Sequence, residues 1–269
     1  MQNVALIQLN VGPSPSENLG QTLAYMTAAA DQGADFILTP ECSNFLTAEG
    51  NSPRDRAVTQ DKDPLLRATQ DLCQRRGVWV CLGSLILAQA GSDRLVNRQI
   101  LIDPQGQIVR TYDKIHLFDV QLEGGEGYRE SHTYDRGTLA QVSDVAGVRM
   151  GHAICYDLRF PALFRGLDAQ VQVLPAAFTA TTGAAHWHML LRARAIENGC
   201  FVLAAAQTGV HDCTRQTFGH SLVIDPWGDV LLDMGTDPGV GMCRLDLGQV
   251  ARRRAQIPAM TADQSFDFA

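Results

Sequence analysis

At 269 residues the chain is long enough for one large α/β domain, and 45% hydrophobic against 19% charged residues is the balance of a chain that buries a sizeable core. A formal net charge of −7 with no basic block argues against a nucleic-acid or anionic-membrane surface and leaves small molecules as the better partners. No apolar run reaches the roughly 18 residues of a membrane helix, no basic segment precedes an apolar one at the N-terminus, and the seven cysteines include no Cys-x-x-Cys pair, so a cytoplasmic chain without a disulfide framework or a zinc site is expected.

Val4 to Leu9 reads as a buried strand. Residues 17–33 then place Leu19, Leu23, Met26 and Ala30 at helical spacing, and Ala34 to Leu38 is a second strand. A second helix runs from Pro64 to Arg76 and stops at Gly77; Val78 to Leu87 and Leu95 to Asp103 follow as strands. The Asp103-Pro104-Gln105-Gly106 turn sends the chain back as a strand from Gln107 to Tyr112. Val148 to Ile154 is a strand that stops at Cys155, and Leu158 to Leu167 resumes with helical spacing. The segment 248–269, with Arg252-Arg253-Arg254, Pro258, Phe266 and Phe268, reads as a polar tail on the surface or on a partner subunit.

The second half repeats the grammar of the first. Arg76-Gly77-Val78-Trp79-Val80 matches Asn198-Gly199-Cys200-Phe201-Val202, and Ile102-Asp103-Pro104-x-Gly106 matches Ile224-Asp225-Pro226-x-Gly228 at the same offset. Ala34 to Pro40 likewise lines up with Ala169 to Pro175, the first half carrying the longer loop after its proline. Nearly continuous apolar strands suit sheets covered by helices, and two such halves packing sheet on sheet make an α-β-β-α sandwich with an internal pseudo-twofold repeat, one domain over 1–269.

Cys155 at a strand-to-helix junction is placed for a nucleophile, because a helix N-terminus lowers a thiol's pKa and offers N–H groups to an oxyanion. Read alone, a buried structural cysteine is the favoured reading, and position by itself does not overturn it. If the halves pack about an approximate twofold axis, the strand ending Thr39-Pro40-Glu41 delivers a carboxylate beside it, and Glu41 becomes the base, against an ordinary loop glutamate. Lysine occurs only at Lys62 and Lys114, every other basic residue being arginine, which favours a site needing a compact ammonium at Lys114 over a surface ion pair with Asp113. His186 and His188 are the densest histidines, but an i, i+2 pair on a helix diverges and cannot share a metal, so both are expected to pack and hydrogen-bond.

Glu41 in Pro40-Glu41, Lys114 in Tyr112-Asp113-Lys114-Ile115-His116-Leu117 and Cys155 in Cys155-Tyr156-Asp157-Leu158-Arg159-Phe160-Pro161 resemble the nitrilase superfamily of carbon–nitrogen hydrolases over essentially the whole chain. The resemblance implies the same α-β-β-α sandwich, a Glu-Lys-Cys triad working without metal or cofactor, a linear amide as substrate, and a homodimer or larger homo-oligomer with the helices near Cys155 at its interface. Arg129-Glu130-Ser131-His132-Thr133 resembles a segment of the Nit branch and implies Glu130 as a second active-site carboxylate, with Glu126 and Glu123 competing in the same loop. Thr182-Gly183-Ala184-Ala185-His186-Trp187 and Ala204-Ala205-Ala206-Gln207-Thr208-Gly209 place the chain in that branch, among amidases of α-keto-acid amides. The implied oxyanion donors are Lys114 and the Tyr156 N–H. Arg159 is implied as the receptor of a substrate carboxylate, against a salt bridge with Asp157, and Arg192, Arg194 and Arg215 are the next candidates. A catalytically silent homologue serving as a binding scaffold is the reading outside enzymes, and the intact Glu41, Lys114 and Cys155 count against it.

Overall fold

The computed structural model describes residues 1–47, 52–121, 127–212, 215–262, 264, 265 and 267. Its first half runs β1 (Asn3–Gln8), α1 (Pro15–Asp31), β2 (Phe36–Leu38), α2 (Pro64–Arg76), β3 (Trp79–Ala88), β4 (Leu95–Ile102) and β5 (Ile108–Asp113). A small hairpin follows, β6 (Asp119–Gln121) and β7 (Gly127–Arg129). The second half runs β8 (Val142–Val145), β9 (Val148–His152), α3 (Pro161–Leu167), β10 (Val171–Val173), α4 (Ala180–Asn198) and β11 (Phe201–Ala204). A hairpin of β12 (Thr208–His211) and β13 (Arg215–Phe218) interrupts it before β14 (Leu222–Ile224) and β15 (Val230–Asp233), and β16 (Gly239–Arg244) and α5 (Gly248–Gln256) close the chain.

The strands form two six-stranded sheets, ordered β16-β1-β2-β3-β4-β5 and β15-β14-β11-β10-β9-β8. In each, three strands are parallel (β1-β2-β3, β9-β10-β11) and two more follow as antiparallel neighbours. An antiparallel strand also flanks the first of each set, β16 on β1 and β8 on β9. This is the repeat expected from the matched segments. Gly77 and Gly199 end α2 and α4 in the left-handed conformation, at φ 66° and 52°, and both Asp-Pro-x-Gly turns connect antiparallel neighbours.

Strand alternation explains the layers. Val4, Leu6, Phe36 and Leu38 face Met150, Val171, Val173, Phe201 and Leu203 between the sheets. Ala5, Ile7, Ile37 and Val80 point the other way, into the cluster with Met26 of α1 and Leu66 and Leu72 of α2. On the far side Phe164, Trp187 and Leu191 of α3 and α4 cover Val202, Leu222 and Ile224. The result is an α-β-β-α sandwich. No helix among the described residues is long and apolar enough to cross a membrane.

Two local expectations are corrected. The segment after Cys155 begins as a 3-10 helix over Cys155–Arg159 and becomes α-helical only at Pro161, because proline suits the first turn of a helix and disfavours helical backbone in the residue before it. The C-terminal segment runs over the surface, but it begins as the helix α5: Val250 is buried, Arg253 lies over the Trp227 ring, and Arg254 donates to the carbonyls of Asn198, Gly199 and Ala169 and pairs with Asp168. Arg254 thereby satisfies carbonyls at the end of α4. Phe266 and Phe268 lie outside the described residues.

Candidate active site

The parallel strands of both sheets end at one place, where β-strand C-termini hand over to loops. Thr208 N–H donates to the Leu9 carbonyl there, stitching one sheet to the other. Glu41 follows β2, Lys114 follows β5 and Cys155 stands beyond β9. Gly83 makes the Glu41 turn feasible: its N–H donates to Thr39 Oγ1, and a Cβ there would lie 1.9 Å from the Thr39 carbonyl oxygen and 2.5 Å from Pro175 Cβ. Only a residue without a side chain lets β3 approach that closely.

Lys114, 3% exposed, is clamped between two carboxylates: its Nζ lies 2.9 Å from Glu41 Oε1 and 3.0 and 2.9 Å from the two oxygens of Glu130. Asp113 pairs with Arg98 instead, so the surface ion pair weighed for Lys114 does not form. Glu41 is held on every side. Asn97 Nδ2 donates to Oε1 at 2.8 Å, the Ala177 N–H to Oε2 at 2.7 Å, and Gln207 Nε2 to its backbone carbonyl at 2.9 Å. Glu130 also accepts from the Phe118 N–H at 2.6 Å and from Asn97 at 3.3 Å. Glu123 and Glu126 lie outside the described residues.

Cys155 is buried, and its φ of 49° is a left-handed conformation that costs a non-glycine residue about 1–2 kcal/mol. Two bonds hold the turn: the Cys155 N–H to the Pro175 carbonyl at 2.9 Å and the Ile154 N–H to Asp157 Oδ2 at 2.8 Å. Tyr156 is the second residue of the 3-10 helix, where the first N–H groups have no intrahelical acceptor.

The electrostatics differ from a thiol activated by a helix terminus. Burial pushes the Cys155 thiol well above its usual 9.0, and the neighbouring Glu41 carboxylate adds to this, outweighing the opposing Lys114 ammonium. Burial would also raise the Glu41 carboxyl, yet Lys114, a contact with the thiol and Arg215 hold it below its usual 4.5. Lys114 is raised well above 10.5 because Glu130 and Glu41 overcome burial. The resting state is a thiol beside a carboxylate and an ammonium. A proton moving from Cys155 to Glu41 leaves a thiolate next to Lys114.

These groups line one cleft of about 400 Å³ with Asn97, Phe118, Tyr128, Tyr134, Tyr156, Phe178 and Arg215. Arg159 is not among the lining residues. It packs on the Tyr156 and Phe178 rings, with centroids at 5.9 and 5.4 Å, and approaches His186 Nδ1 at 3.3 Å. Nor does it pair with Asp157, which accepts from the Tyr112 hydroxyl at 2.6 Å and from the His116 N–H at 3.0 Å, with His116 Nδ1 2.7 Å away. Arg192 is bonded to the Gly228 carbonyl, and Arg194 to Glu197 and the Leu158 carbonyl. His188 diverges from His186 to meet Asp233, which also bonds His220, the ligand atoms of the three lying within 4.8 Å of one another.

Asn97 and Asp157 were not predicted in these roles, and of the three arginines named after Arg159 only Arg215 reaches the cleft. The polar triplet Asn97-Arg98-Gln99 inside the otherwise apolar strand Leu95–Ile102 is the sequence signal that points to Asn97, since a polar side chain in a buried strand needs a partner.

Residues 3–255 match the family model described as carbon-nitrogen hydrolase. The chain is 42% identical over 234 residues to the deaminated glutathione amidase of Yersinia enterocolitica, covering 85% of this chain and 81% of that protein. Against the mouse protein of the same name it is 36% identical over 266 residues, 95% of this chain and 81% of that one. Among solved structures it resembles the NitFhit protein of C. elegans, at TM-score 0.90 and 32% identity, with 98% of this chain spanning 65% of that longer one. It also resembles XC1258 from Xanthomonas campestris, a CN-hydrolase superfamily protein with an arsenic adduct in its active site, at TM-score 0.84 and 27% identity over 100% and 99% of the two chains.

Proposed function

The chain belongs to the carbon-nitrogen hydrolase family, and from that premise we propose that it is a thiol amidase acting on deaminated glutathione, releasing 2-oxoglutarate and cysteinylglycine. The observation that carries the chemistry is the Lys114 ammonium fixed between Glu41 and Glu130 in the cleft that Cys155 opens into. Relatives of that name at 42% and 36% identity support the substrate.

Glu41 takes the thiol proton as the Cys155 sulfur bonds to the amide carbon, and Lys114 with the Tyr156 N–H receives the oxyanion. Collapse of the tetrahedral adduct breaks the C–N bond, and protonated Glu41 returns its proton to the departing amine. Glu41 then removes a proton from water as the oxygen attacks the thioester, and the sulfur leaves with that proton as a free thiol. Glu130 holds Lys114 in position, while Asn97 fixes both carboxylates.

Hydrolysis by the purified protein tests this. Deaminated glutathione should be cleaved faster than 2-oxoglutaramate, an N-carbamoyl amino acid or a nitrile, and Cys155→Ala should abolish turnover while the fold survives. A preference for 2-oxoglutaramate would make the chain an ω-amidase, and no turnover of any amide would leave the scaffold reading. We place the enzyme in the cytoplasm, which suits six unpaired cysteines among the described residues, and as a homodimer. Met189 and Ile196, one above the other on α4 and 69% and 51% exposed, support a partner there, and a monomer by light scattering would contradict it.

A further inference from the structure

The cleft lining contains two cations that the proposed reaction does not use, Arg129 and Arg215. Arg129 is exposed. Arg215, at the start of β13, is partly buried, with its guanidinium 5.4 Å from the centre of the Tyr128 ring and its Nη2 donating to the Ala177 carbonyl at 2.9 Å. Its Nε is shut off from solvent and has no hydrogen-bond partner among the described residues. Among the described residues no carboxylate comes within ion-pair distance of Arg215, whereas Lys114 in the same cleft has two. An enclosed N–H left unused on a permanent cation is costly, and a planar fork is the shape that grips a carboxylate through two parallel bonds.

We propose that Arg215 receives a carboxylate on the acyl half of the amide substrate, the half that stays on Cys155 as the thioester. This rests on the amidase reading and specifies which end of the substrate is recognised. Two observations select the acyl half. Ala177 holds Arg215 by its carbonyl and Glu41 by its N–H, so the guanidinium stands one residue's length from the base that serves Cys155. A leaving amine departs toward solvent, and of the two cations Arg129 is the exposed one, so the partly buried Arg215 belongs with the part that remains bound. In an acidic protein a carboxylate needs such a local cation to enter at all.

The test compares two primary amides that differ only at the far end of the acyl chain, glutaramate with a carboxylate and pentanamide with a methyl group. Both release ammonia, so any difference between them arises on the acyl side. The wild-type enzyme should prefer glutaramate in kcat/KM, and Arg215→Gln should shrink that preference by about 100-fold. Arg215→Lys should restore part of it, and Arg129→Gln should leave the preference intact. Melting curves separate a folded variant from a damaged one, and Arg215→Lys provides the reading if Arg215→Gln does not fold. A preference that survives in Arg215→Gln, with or without an equal loss on both amides, overturns the proposal, as does a wild-type enzyme indifferent to the carboxylate. The failure of the amidase reading looks different: the wild-type protein would hydrolyse neither compound.

Discussion

Replacing Asp157 with asparagine tests how Cys155, the proposed nucleophile, is positioned. The buried carboxylate accepts from Tyr112 Oη and the Ile154 N–H on one oxygen and meets the His116 N–H and Nδ1 on the other, tying the strand before Lys114 to the turn that carries Cys155. Asparagine keeps one acceptor and turns an NH2 toward the other pair. The Tyr112 hydroxyl can rotate to accept, but a backbone N–H is then left facing a donor. An unsatisfied buried donor costs about 1–3 kcal/mol and the hydrogen bond lost with it about 1 kcal/mol more, so the net loss is about 2–4 kcal/mol. For a chain of this size that lowers Tm by roughly 5–12 °C. Cys155 already sits in a strained left-handed conformation, so slackening its anchor should also lower kcat by about 10- to 100-fold with little change in KM. Calorimetry or urea unfolding reads the first effect and steady-state kinetics the second. A Tm within 2 °C of wild type, or full kcat in a destabilised variant, would refute Asp157 as the positioning group.

Lys114→Arg should lose at least about 100-fold in kcat/KM despite keeping its charge, because three carboxylate oxygens within 3.0 Å leave no room for a planar fork; near-normal turnover would remove Lys114 from the oxyanion site. The pH profile follows from the shifts: Glu41 is lowered and so stays ionised until below pH 4.5, while Cys155 is raised and so keeps its proton to above pH 9.0. Between those limits kcat/KM should be flat, and an acid limb centred near pH 6 would mean that another group is the base. Gly83→Ala should destabilise by about 3 kcal/mol or more in urea unfolding, since the new methyl meets backbone oxygen and proline that cannot move aside; a loss below 1 kcal/mol would show that the Glu41 turn is pliable.

What the sequence determined is what local chemistry and order along the chain can carry. Apolar periodicity and the Gly77 and Gly199 stops marked α2 and the strands after both stops, and the shared offset of the Asp-Pro-x-Gly turns disclosed the twofold repeat that the two sheets display. Scarcity of lysine singled out Lys114, and Glu41, Lys114 and Cys155 each lie at or beyond a strand end. The partners that give those residues their state come from elsewhere in the chain: Asn97 is 56 residues from Glu41, the Ala177 N–H 136 and Gln207 166. Burial then reversed the expected shift of Cys155, because desolvation beside a carboxylate outweighs a short 3-10 turn. Arg159 stands closest to Cys155 in sequence, but its turn packs it on the Tyr156 and Phe178 rings, while Arg215 reaches the cleft from a hairpin that only the closing of the second sheet brings there. Nearness along the chain fixes a side chain's direction only within one element. Which cation lines the cleft is decided by how the two sheets pack.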